Sequence, residues 1–354
     1  MFLIQHQLQT SAGPDVTAFW NSLNSGISAI DEIQLSNWNP RAQVFWEKNW
    51  GPAPIAAQFS DSSSSHLLAF KKTIESFTPP KMDGRWGILF SSTKGITEDY
   101  VWDEESWNSY SPVLELLKKQ LDGDLYESST VSNACASAHA ALHLARNWIE
   151  QDRVDHVWLV SGDLIGPFTM LGFKSLRALC SKSVQSYQSK RDGLSLGESI
   201  VSLVLSKDPS PLRFLHTGIS NDGLSTTRPS KDCLIKTMPN VKNQNIGFVI
   251  GHGTGTPAND LAEIEALNDV FDNRIPFLTS TKWCVGHTLG ASGAVDVVAA
   301  AEMMNTEKFF QIPIHSDPIS GAESITQNPA HYQKALITSL GFGGTHASLI
   351  LERV

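Results

Sequence analysis

The chain alternates short apolar segments with longer amphipathic ones, and this alternation restricts the fold more than any other feature of the sequence. Apolar runs typical of buried strands occur at about 86–90, 157–161, 200–205, 246–250 and 276–280. Segments with a helical period separate them, at about 111–121, 136–150, 259–270 and 291–304. This order predicts an α/β fold with a mainly parallel sheet, closed by a hairpin of strands 335–339 and 347–351.

The first 110 residues show no regular pattern apart from the strand at 86–90. The composition of the whole chain nevertheless excludes several classes of protein. The chain is 41% hydrophobic and 18% charged, which excludes a disordered or collagen-like protein. A formal net charge of −9 argues against binding to nucleic acid. The four cysteines form no C-x-x-C pair, so we expect neither a disulfide framework nor a zinc ribbon. No apolar run reaches the roughly 18 residues of a membrane span, and we expect a cytoplasmic protein.

Cys135 stands where a predicted strand ends and a predicted helix begins, in the sequence Val-Ser-Asn-Ala-Cys-Ala-Ser-Ala. The positive end of a helix dipole favours the thiolate at such a position. The small neighbours would let a substrate carbonyl approach the sulfur closely. A buried structural cysteine is the alternative, because free cysteine is among the most buried residue types. The residue types indicate a candidate nucleophile.

Two histidines follow predicted strands at their carboxyl ends, where ligand sites collect in open α/β sheets. His252 lies in Gly-His-Gly-Thr-Gly-Thr-Pro, directly after the strand at 246–250. This turn has neither the Gly-Lys-Ser/Thr of a phosphate loop nor the spacing of a dinucleotide fingerprint. His287 follows the strand at 276–280 and precedes a helix rich in small residues. Cys284 is three residues before it, but no further ligands adjoin, so we expect no metal site.

A further glycine-rich segment, Gly341-Phe342-Gly343-Gly344, suggests backbone brought close to a ligand. The alternative is that it simply closes a hairpin. One thiol and two imidazoles at strand ends make a nucleophile with two bases or hydrogen-bond donors. A papain-like cysteine hydrolase needs the same two groups, so the residue types alone leave both readings open.

Taken in order, these motifs resemble the β-ketoacyl-(acyl-carrier-protein) synthases, the condensing enzymes of the thiolase superfamily. The resemblance covers roughly residues 130–354, while the first 130 residues match weakly. The matching elements are Ala134-Cys135-Ala-Ser, Gly172-Phe173, Arg191-Asp192-Gly193, His252-Gly-Thr-Gly-Thr-Pro-Ala-Asn-Asp260, Ser280-Thr-Lys282, Gly286-His287, Gly290-Ala-Ser-Gly293 and Gly341-Phe-Gly-Gly-Thr345.

The resemblance implies a role for each matching residue of the reaction centre. Cys135 would be the acylated nucleophile, and His252 and His287 would hold the malonyl thioester oxygen. Lys282 matches the active-site lysine that orders the histidines electrostatically. Glu263 matches a buried carboxylate that would hold Lys282. No metal and no redox cofactor are implied, because the substrates travel on the phosphopantetheine of a carrier protein.

The resemblance also assigns the entrance of the site. Phe342 matches a gating phenylalanine, and its backbone N–H, together with that of Cys135, would form an oxyanion hole. Thr254 and Thr256 match threonines that bind the pantetheine arm, and Thr227 is expected to do the same.

The fold implied by the resemblance is a thiolase-like five-layer αβαβα arrangement built from two related halves in one compact unit. We place the N-terminal half with the nucleophile at 1–207, and the C-terminal half with the two histidines at 208–354. The chain departs from the family pattern at several positions, including Ser199-Ile200 in place of the small pair usual after Gly-Glu. His346 replaces the usual Asn after Gly-Gly-Thr, and Asp296 stands where relatives often have Glu.

An acidic carrier protein is the expected macromolecular partner, although the chain itself is acidic. Residues 174–191 contain five basic and no acidic side chains, namely Lys174, Arg177, Lys182, Lys190 and Arg191. A local patch of this kind can steer an acidic domain. Arg177 and Lys174 are the expected contacts. A homodimer, or a heterodimer with a related ketosynthase-like subunit, is also implied.

The expected activity is that of an acyltransferase. An acyl group moves to Cys135, and decarboxylative condensation with a malonyl carrier follows, in fatty-acid or polyketide/polyene-type synthesis. One alternative is a non-catalytic partner subunit of the chain-length-factor type, which usually lacks the nucleophile. Another is an acyltransferase or thioesterase without condensation. A thiolase normally carries a second cysteine near its C-terminus, and none follows Cys284 here.

Overall fold

The structure is a computed structural model that describes residues 1–38, 40–50, 53–59, 65–101 and 110–354. Its strands are β1 (Phe2–Thr10), β2 (Asp31–Glu32), β3 (Ile55–Ala57), β4 (Arg85–Ser91), β5 (Asp124–Val131), β6 (His156–Asp163), β7 (Leu196–Gly197), β8 (Ser199–Ser206), β9 (Leu212–Asn221), β10 (Phe248–Ile250), β11 (Phe277–Thr279), β12 (Lys334–Leu340) and β13 (Thr345–Arg353). Its helices are α1 (Val16–Ser25), α2 (Pro40–Trp50), α3 (His66–Ser76), α4 (Glu98–Val101), α5 (Ser111–Gln120), α6 (Ser137–Glu150), α7 (Pro167–Ser175), α8 (Lys231–Lys236), α9 (Pro257–Val270), α10 (Lys282–Val285) and α11 (Ser292–Thr306).

The larger sheet contains ten strands in the order β11-β10-β12-β13-β9-β1-β8-β6-β4-β5. Its two halves repeat one topology. The first half contains β1, β4, β5, β6 and β8, and the second contains β9 to β13. When the strands of each half are numbered 1 to 5 along the chain, both halves have the spatial order 3-2-4-5-1, read from the outer edge of the sheet inwards. The halves join through the antiparallel pair β1–β9, where Phe2 lies opposite Arg213. Residue 207 lies between β8 and β9, but a division of the chain at that point stays a prediction.

The strand directions differ from the expected mainly parallel sheet. Within the described strands of the ten-stranded sheet, parallel pairs are confined to β5-β4-β6 and β11-β10-β12, and the remaining neighbours are antiparallel. The reason is that parallel neighbours need a helical crossover, whereas β8 and β13 run back beside β6 and β12. The predicted closing hairpin is confirmed, since β12 pairs antiparallel with β13. The pairing extends from Lys334 opposite Glu352 to Leu340 opposite His346.

Helices α6 and α11 form the central layer of the molecule. They pack against each other, and each also contacts strands of both halves of the sheet. Outer helices cover the sheet, with α3 and α5 on the first half and α8 and α9 on the second. Nearly every residue of α11 is buried, which explains its run of Ala, Val and Met. This is the expected thiolase-like αβαβα layering.

The prediction that the first 110 residues are irregular is wrong for the part that the structure describes. Strand β1 pairs with β8 through most of its length, and helices α1, α2 and α3 follow. The strand was missed because glutamine and histidine interrupt its apolar residues, of which Leu3 and Leu8 are fully buried. No described helix is both long and apolar enough to cross a membrane.

Candidate active site

Cys135 occupies a sharp turn between β5 and α6. The preceding residue, Ala134, has a φ of 48°, a left-handed conformation that non-glycine residues rarely adopt. Helix α6 begins two residues later at Ser137. The carbonyl of Cys135 accepts a hydrogen bond from Ser339 Oγ at 3.1 Å. The side chain is 5% exposed and is therefore held in a defined position beneath the surface.

The two predicted histidines meet at this cysteine. His287 Nε2 lies 3.0 Å from Cys135 Sγ, and His287 Nδ1 lies 3.1 Å from Ser292 Oγ at the start of α11. The His252 ring stands edge-on to the His287 ring with centroids 5.0 Å apart. One ligating atom from each of the three side chains lies within 4.8 Å of the others. The structure thus unites residues 117 and 152 positions apart in the sequence.

Both histidines are neutral in this environment. Burial lowers the pKa of His287 to about 3, and the charge of Lys282 adds to the effect. Burial likewise holds the pKa of His252 well below its ordinary value, again with a contribution from Lys282. A neutral imidazole can donate one hydrogen bond and accept another, so the pair can act on a substrate oxygen without carrying charge.

The thiol of Cys135 differs from the expected thiolate. Burial raises its pKa to about 11, which exceeds the opposing influence of the helix N-terminus. The backbone amides of Phe342 and of Cys135 itself act on the sulfur in the opposite sense and lower its pKa, as does the charge of Lys282. The free site therefore holds a neutral thiol beside a neutral imidazole that can accept its proton. The same two amides are those predicted to form the oxyanion hole.

Lys282 forms a buried ion pair with a different carboxylate from the one expected. Its Nζ lies 3.0 Å from Asp296 Oδ2, and both side chains are 1% exposed. Thr281 Oγ1 donates to the other oxygen of Asp296 at 2.6 Å. The expected Lys282–Glu263 pairing is thus replaced. The reason is that Asp296, on α11, approaches the lysine in space although it is 14 residues away in sequence.

Glu263 instead holds the turn that carries His252. It accepts hydrogen bonds from the backbone N–H of His252 at 2.7 Å and of Gly253 at 3.0 Å. Thr338 Oγ1 donates to it at 2.5 Å, and Tyr187 Oη donates at 2.8 Å. Four donors on one fully buried carboxylate fix the backbone of the turn from below. Glu263 is a supporting carboxylate, but for His252 rather than for Lys282.

Phe342 separates two cavities that meet at Cys135. Its ring stacks on that of Phe173 with centroids 5.9 Å apart and planes 21° apart. The turn that carries it includes Gly343 at φ 81° and Gly344 at φ 77°, conformations that favour glycine. Both cavities are lined by Cys135, Phe173, Leu176 and Phe342. A ring in this position can gate passage between them.

The first cavity, of about 320 Å³, contains most of the predicted substrate-binding residues. Its lining includes the buried His252, His287 and Thr254, and the more exposed Thr256, Thr227 and Arg177. Thr254 Oγ1 and Thr256 Oγ1 lie 3.0 Å apart. Hydroxyl groups in the lining suit the amides of an extended, polar chain.

The second cavity, of about 730 Å³, is predominantly apolar. Its lining includes Phe45, Trp50, Phe168, Leu171 and Leu289, with Thr93 and Lys94 beside them. An apolar space that opens at a nucleophile suits an acyl chain.

The predicted basic patch is only partly available to a partner. Lys174, Arg177, Lys182 and Lys190 are exposed, and Arg177 has a φ of 54° next to the first cavity. Arg191 is different: it donates to the carbonyls of Gln188 and Pro257, and its Nε lies 3.8 Å from the buried Asp260. Arg191 therefore holds the local structure together.

The sulfur of Cys135 and the nitrogens of His252 and His287 form a donor set that could also hold a metal ion. Cys284 contributes nothing to that set, because its Sγ contacts the carbonyl of Ile27. That the centre works without metal stays a prediction.

Asp163 and His346 are among the site residues that the sequence analysis missed or left unassigned. Asp163 is fully buried at the end of β6 and accepts from Ser92 Oγ, from the backbone and hydroxyl of Thr93, and from Gly290 N. It thereby fixes the turn that follows His287. The sequence signal that could have identified it is an aspartate at the end of a mostly apolar strand.

His346, noted only as a departure from the family pattern, ties the gate turn to a neighbouring loop. Its Nε2 accepts a hydrogen bond from the backbone N–H of Ser230 at 2.8 Å. Asn221, the last residue of β9 before this loop, also contacts the gate turn: its Nδ2 donates to the carbonyl of Gly343 at 3.0 Å.

A buried cysteine and two neutral histidines on a thiolase-like fold define the class of the protein, and comparisons with known proteins agree. The model of the β-ketoacyl synthase N-terminal domain matches residues 127–210, and that of the C-terminal domain matches residues 216–313. Together they cover a little more than half of the chain. The chain belongs to the β-ketoacyl synthase family.

Two curated relatives show the extent of the similarity. A 3-oxoacyl-[acyl-carrier-protein] synthase 1 of Haemophilus influenzae is 28% identical over 249 residues, which cover 63% of this chain and 61% of the relative. The enzyme of the same name from Buchnera aphidicola subsp. Schizaphis graminum is 29% identical over 400 residues. The match covers 97% of this chain and 97% of the relative.

Solved structures support the fold at lower identity. The ishigamide ketosynthase/chain length factor matches with a TM-score of 0.84 at 19% identity, over 100% of this chain and 98% of that one. A ketosynthase from module 6 of the bacillaene synthase of Bacillus subtilis 168 matches with a TM-score of 0.83 at 18% identity, over 100% of this chain and 72% of that one.

Proposed function

We propose that the protein is a β-ketoacyl-(acyl-carrier-protein) synthase that works through Cys135. The observation that carries the proposal is the contact of His287 Nε2 with Cys135 Sγ at 3.0 Å, with the neutral His252 ring beside it, where the two cavities meet. A hydrolase needs one imidazole and a water path. A second neutral imidazole and a separate acyl cavity fit a condensation between two substrates.

In the first half-reaction the Cys135 sulfur attacks the thioester carbonyl of an acyl carrier. The thiol proton passes to His287 Nε2 as the C–S bond forms, and from there to the departing carrier thiolate. The backbone N–H groups of Cys135 and Phe342 stabilise the oxyanion of the tetrahedral intermediate. The products are an acyl-Cys135 thioester and a free carrier thiol, and the acyl chain occupies the apolar cavity.

In the second half-reaction a malonyl carrier enters along Thr227, Thr254 and Thr256. His252 and His287, the latter now in its Nε2–H tautomer, donate hydrogen bonds to its thioester oxygen and stabilise the enolate that forms when CO2 leaves. The enolate carbon attacks the acyl-Cys135 carbonyl. The tetrahedral intermediate collapses to a β-ketoacyl carrier and the Cys135 thiolate, which takes up one proton from solvent.

Lys282 supports both steps electrostatically. Its charge lowers the pKa of His252, of His287 and of the Cys135 thiol. It therefore keeps the imidazoles neutral while it favours the anionic sulfur. This chemistry involves no metal ion or redox cofactor.

The test is intact-protein mass spectrometry with acyl-carrier proteins as donors, followed by a malonyl carrier, on the wild type and on Cys135→Ala. We expect acylation of the wild type alone and a β-ketoacyl mass on the carrier. Acylation without elongation would instead indicate a simple acyltransferase. Loss of acyl groups to water would indicate a thioesterase.

A non-catalytic, chain-length-factor-like subunit is the second candidate. Two of the similar solved structures are complexes of a ketosynthase with a chain length factor. The intact Cys135–His287 contact favours the catalytic role over this one. Failure of every acyl donor to label Cys135 in a folded sample would reverse that preference.

We also propose two partners, an acyl-carrier protein and a second ketosynthase-like subunit. The exposed Lys174 and Arg177 beside the first cavity support carrier binding. Charge reversal of both to Glu should raise KM for the carrier substrate without changing the rate of acylation by a small thioester. Sedimentation of the protein alone and with co-expressed subunits tests the second partner.

A further inference from the structure

We propose that Tyr187 is a positioning residue that sets His252 for decarboxylation of the malonyl substrate. This inference deepens the proposed function and rests on it. Tyr187 lies on the long segment between α7 and β7 and is fully buried. Its hydroxyl donates to Glu263 Oε2 at 2.8 Å, and Glu263 in turn accepts the backbone N–H groups of His252 and Gly253.

The conformation of Tyr187 is strained and is maintained from three directions. Its φ is 59°, which a bulky residue adopts only when its surroundings impose it. Its N–H donates to Asp260 Oδ2 at 2.7 Å, and its carbonyl accepts from the N–H of Ile319 at 2.8 Å. The hydroxyl contact with Glu263 is the third anchor. Strain held by three independent anchors points to a function for the side chain.

The turn around His252 is shaped to receive this hydroxyl. A Cβ atom on Gly251 would overlap Tyr187 Oη, and one on Gly253 would lie 2.8 Å from it. The two glycines that flank His252 therefore leave the space that the phenol oxygen occupies. The φ of Gly253, 38°, also lies in the left-handed region.

Asp260 and Glu263 lie three residues apart on the first turns of α9, and Tyr187 bridges them. Asp260 accepts from Tyr187 N and from Gly255 N at 3.2 Å, so the two carboxylates hold both ends of the turn at 252–255. His287 receives no hydrogen bond from this group, because its described side-chain hydrogen bonds go to Cys135 and Ser292. Tyr187 should therefore influence the step that needs His252 and leave the step that needs only Cys135 and His287.

The experiment measures the two half-reactions separately in Tyr187→Phe. We expect the rate of malonyl decarboxylation to fall by about 10- to 100-fold, as for a small misplacement of a catalytic group. Acylation of Cys135 should stay within about threefold of the wild type, and KM for the malonyl carrier should change little. Tyr332→Phe is the matched control, because its ring packs on Phe248 in the strand that leads to the same turn.

A second variant separates positioning from a general packing effect. Thr338→Val removes another donor to Glu263, and the double variant with Tyr187→Phe should lose less than the product of the two single losses. Equal losses in both half-reactions, or unchanged decarboxylation in Tyr187→Phe, would overturn the inference. If the wild type neither acylates nor decarboxylates, it is the proposed function that fails.

Discussion

The ammonium of Lys282 and the carboxylate of Asp296 are 3.0 Å apart, and both side chains are almost completely removed from solvent. Breaking a buried ion pair from one side leaves an uncompensated charge, which is far more destabilising than the loss of an exposed pair. The charge of the lysine lowers the pKa values of His252 and His287. The ion pair therefore links the stability of the centre to its protonation state.

Asp296→Asn should lower the free energy of unfolding by about 3–5 kcal/mol, because Lys282 would stay buried without a counter-charge. Urea denaturation at neutral pH measures the change. The control is Asp122→Asn, which breaks the exposed Lys81–Asp122 pair and should leave the midpoint unchanged. Equal midpoints for wild type and Asp296→Asn would show that the pair contributes nothing.

The thiol of Cys135 should alkylate increasingly fast as pH rises towards its pKa of about 11. Only the thiolate reacts, and its fraction grows roughly tenfold per pH unit below the pKa. Iodoacetamide labelling followed by peptide mapping resolves Cys135 from the other cysteines, with Cys135→Ser as the blank. A rate that levels off near neutral pH would instead reveal a preformed thiolate–imidazolium pair with His287.

His139 should make folding sensitive to acid. It lies on α6 with its ring against Gly293 of α11, and burial lowers its pKa to about 4. The unfolded chain takes up a proton on this histidine near its ordinary pKa of roughly 6.5, so stability is lost as pH falls through the interval between the two values.

The comparison that isolates this effect is wild type against His139→Leu. Between neutral pH and pH 4 the wild type should lose about 3 kcal/mol more unfolding free energy than the variant. Other titrating groups cancel because both proteins contain them. Parallel stability curves for the two proteins would contradict the assigned pKa.

Two glycine substitutions should have opposite effects. A Cβ on Gly197 would overlap the carbonyl oxygen of Val285, and the Gly197 N–H donates to the carbonyl of His287 at 3.0 Å. Gly197→Ala should therefore lower both activity and stability, the latter by about 1–3 kcal/mol. Thermal unfolding and the acylation rate together measure the effect.

Gly172→Ala is the matched control for Gly197→Ala. Gly172 lies inside α7, and a Cβ atom built on it would meet no atom within 4 Å apart from its chain neighbours and the backbone of its own helix. Replacement by alanine there should raise stability by roughly 0.5–1 kcal/mol, because alanine restricts the unfolded chain. Destabilisation by both substitutions would show that the close approach at Gly197 is not the cause.

The reaction centre was accessible from the sequence because its groups lie at predictable places. Cys135 and His252 follow closely after β5 and β10, next to small residues that fit a substrate path, whereas the short helix α10 separates His287 from the strand β11 that was expected to end at it. Strand ends are set by local hydrophobic runs and glycine turns, which a sequence displays directly. The closing hairpin at β12 and β13 was predictable for the same reason.

The tertiary structure decided what depends on contacts between distant segments. It paired Lys282 with Asp296 rather than Glu263, and it joined Tyr187 to Glu263, which holds the His252 turn, across 76 residues of sequence. It also determined the protonation of Cys135, because burial outweighs the local helix terminus. Local sequence specifies which groups are present and where a strand ends. Desolvation and the choice among several buried carboxylates arise only when the chain has packed.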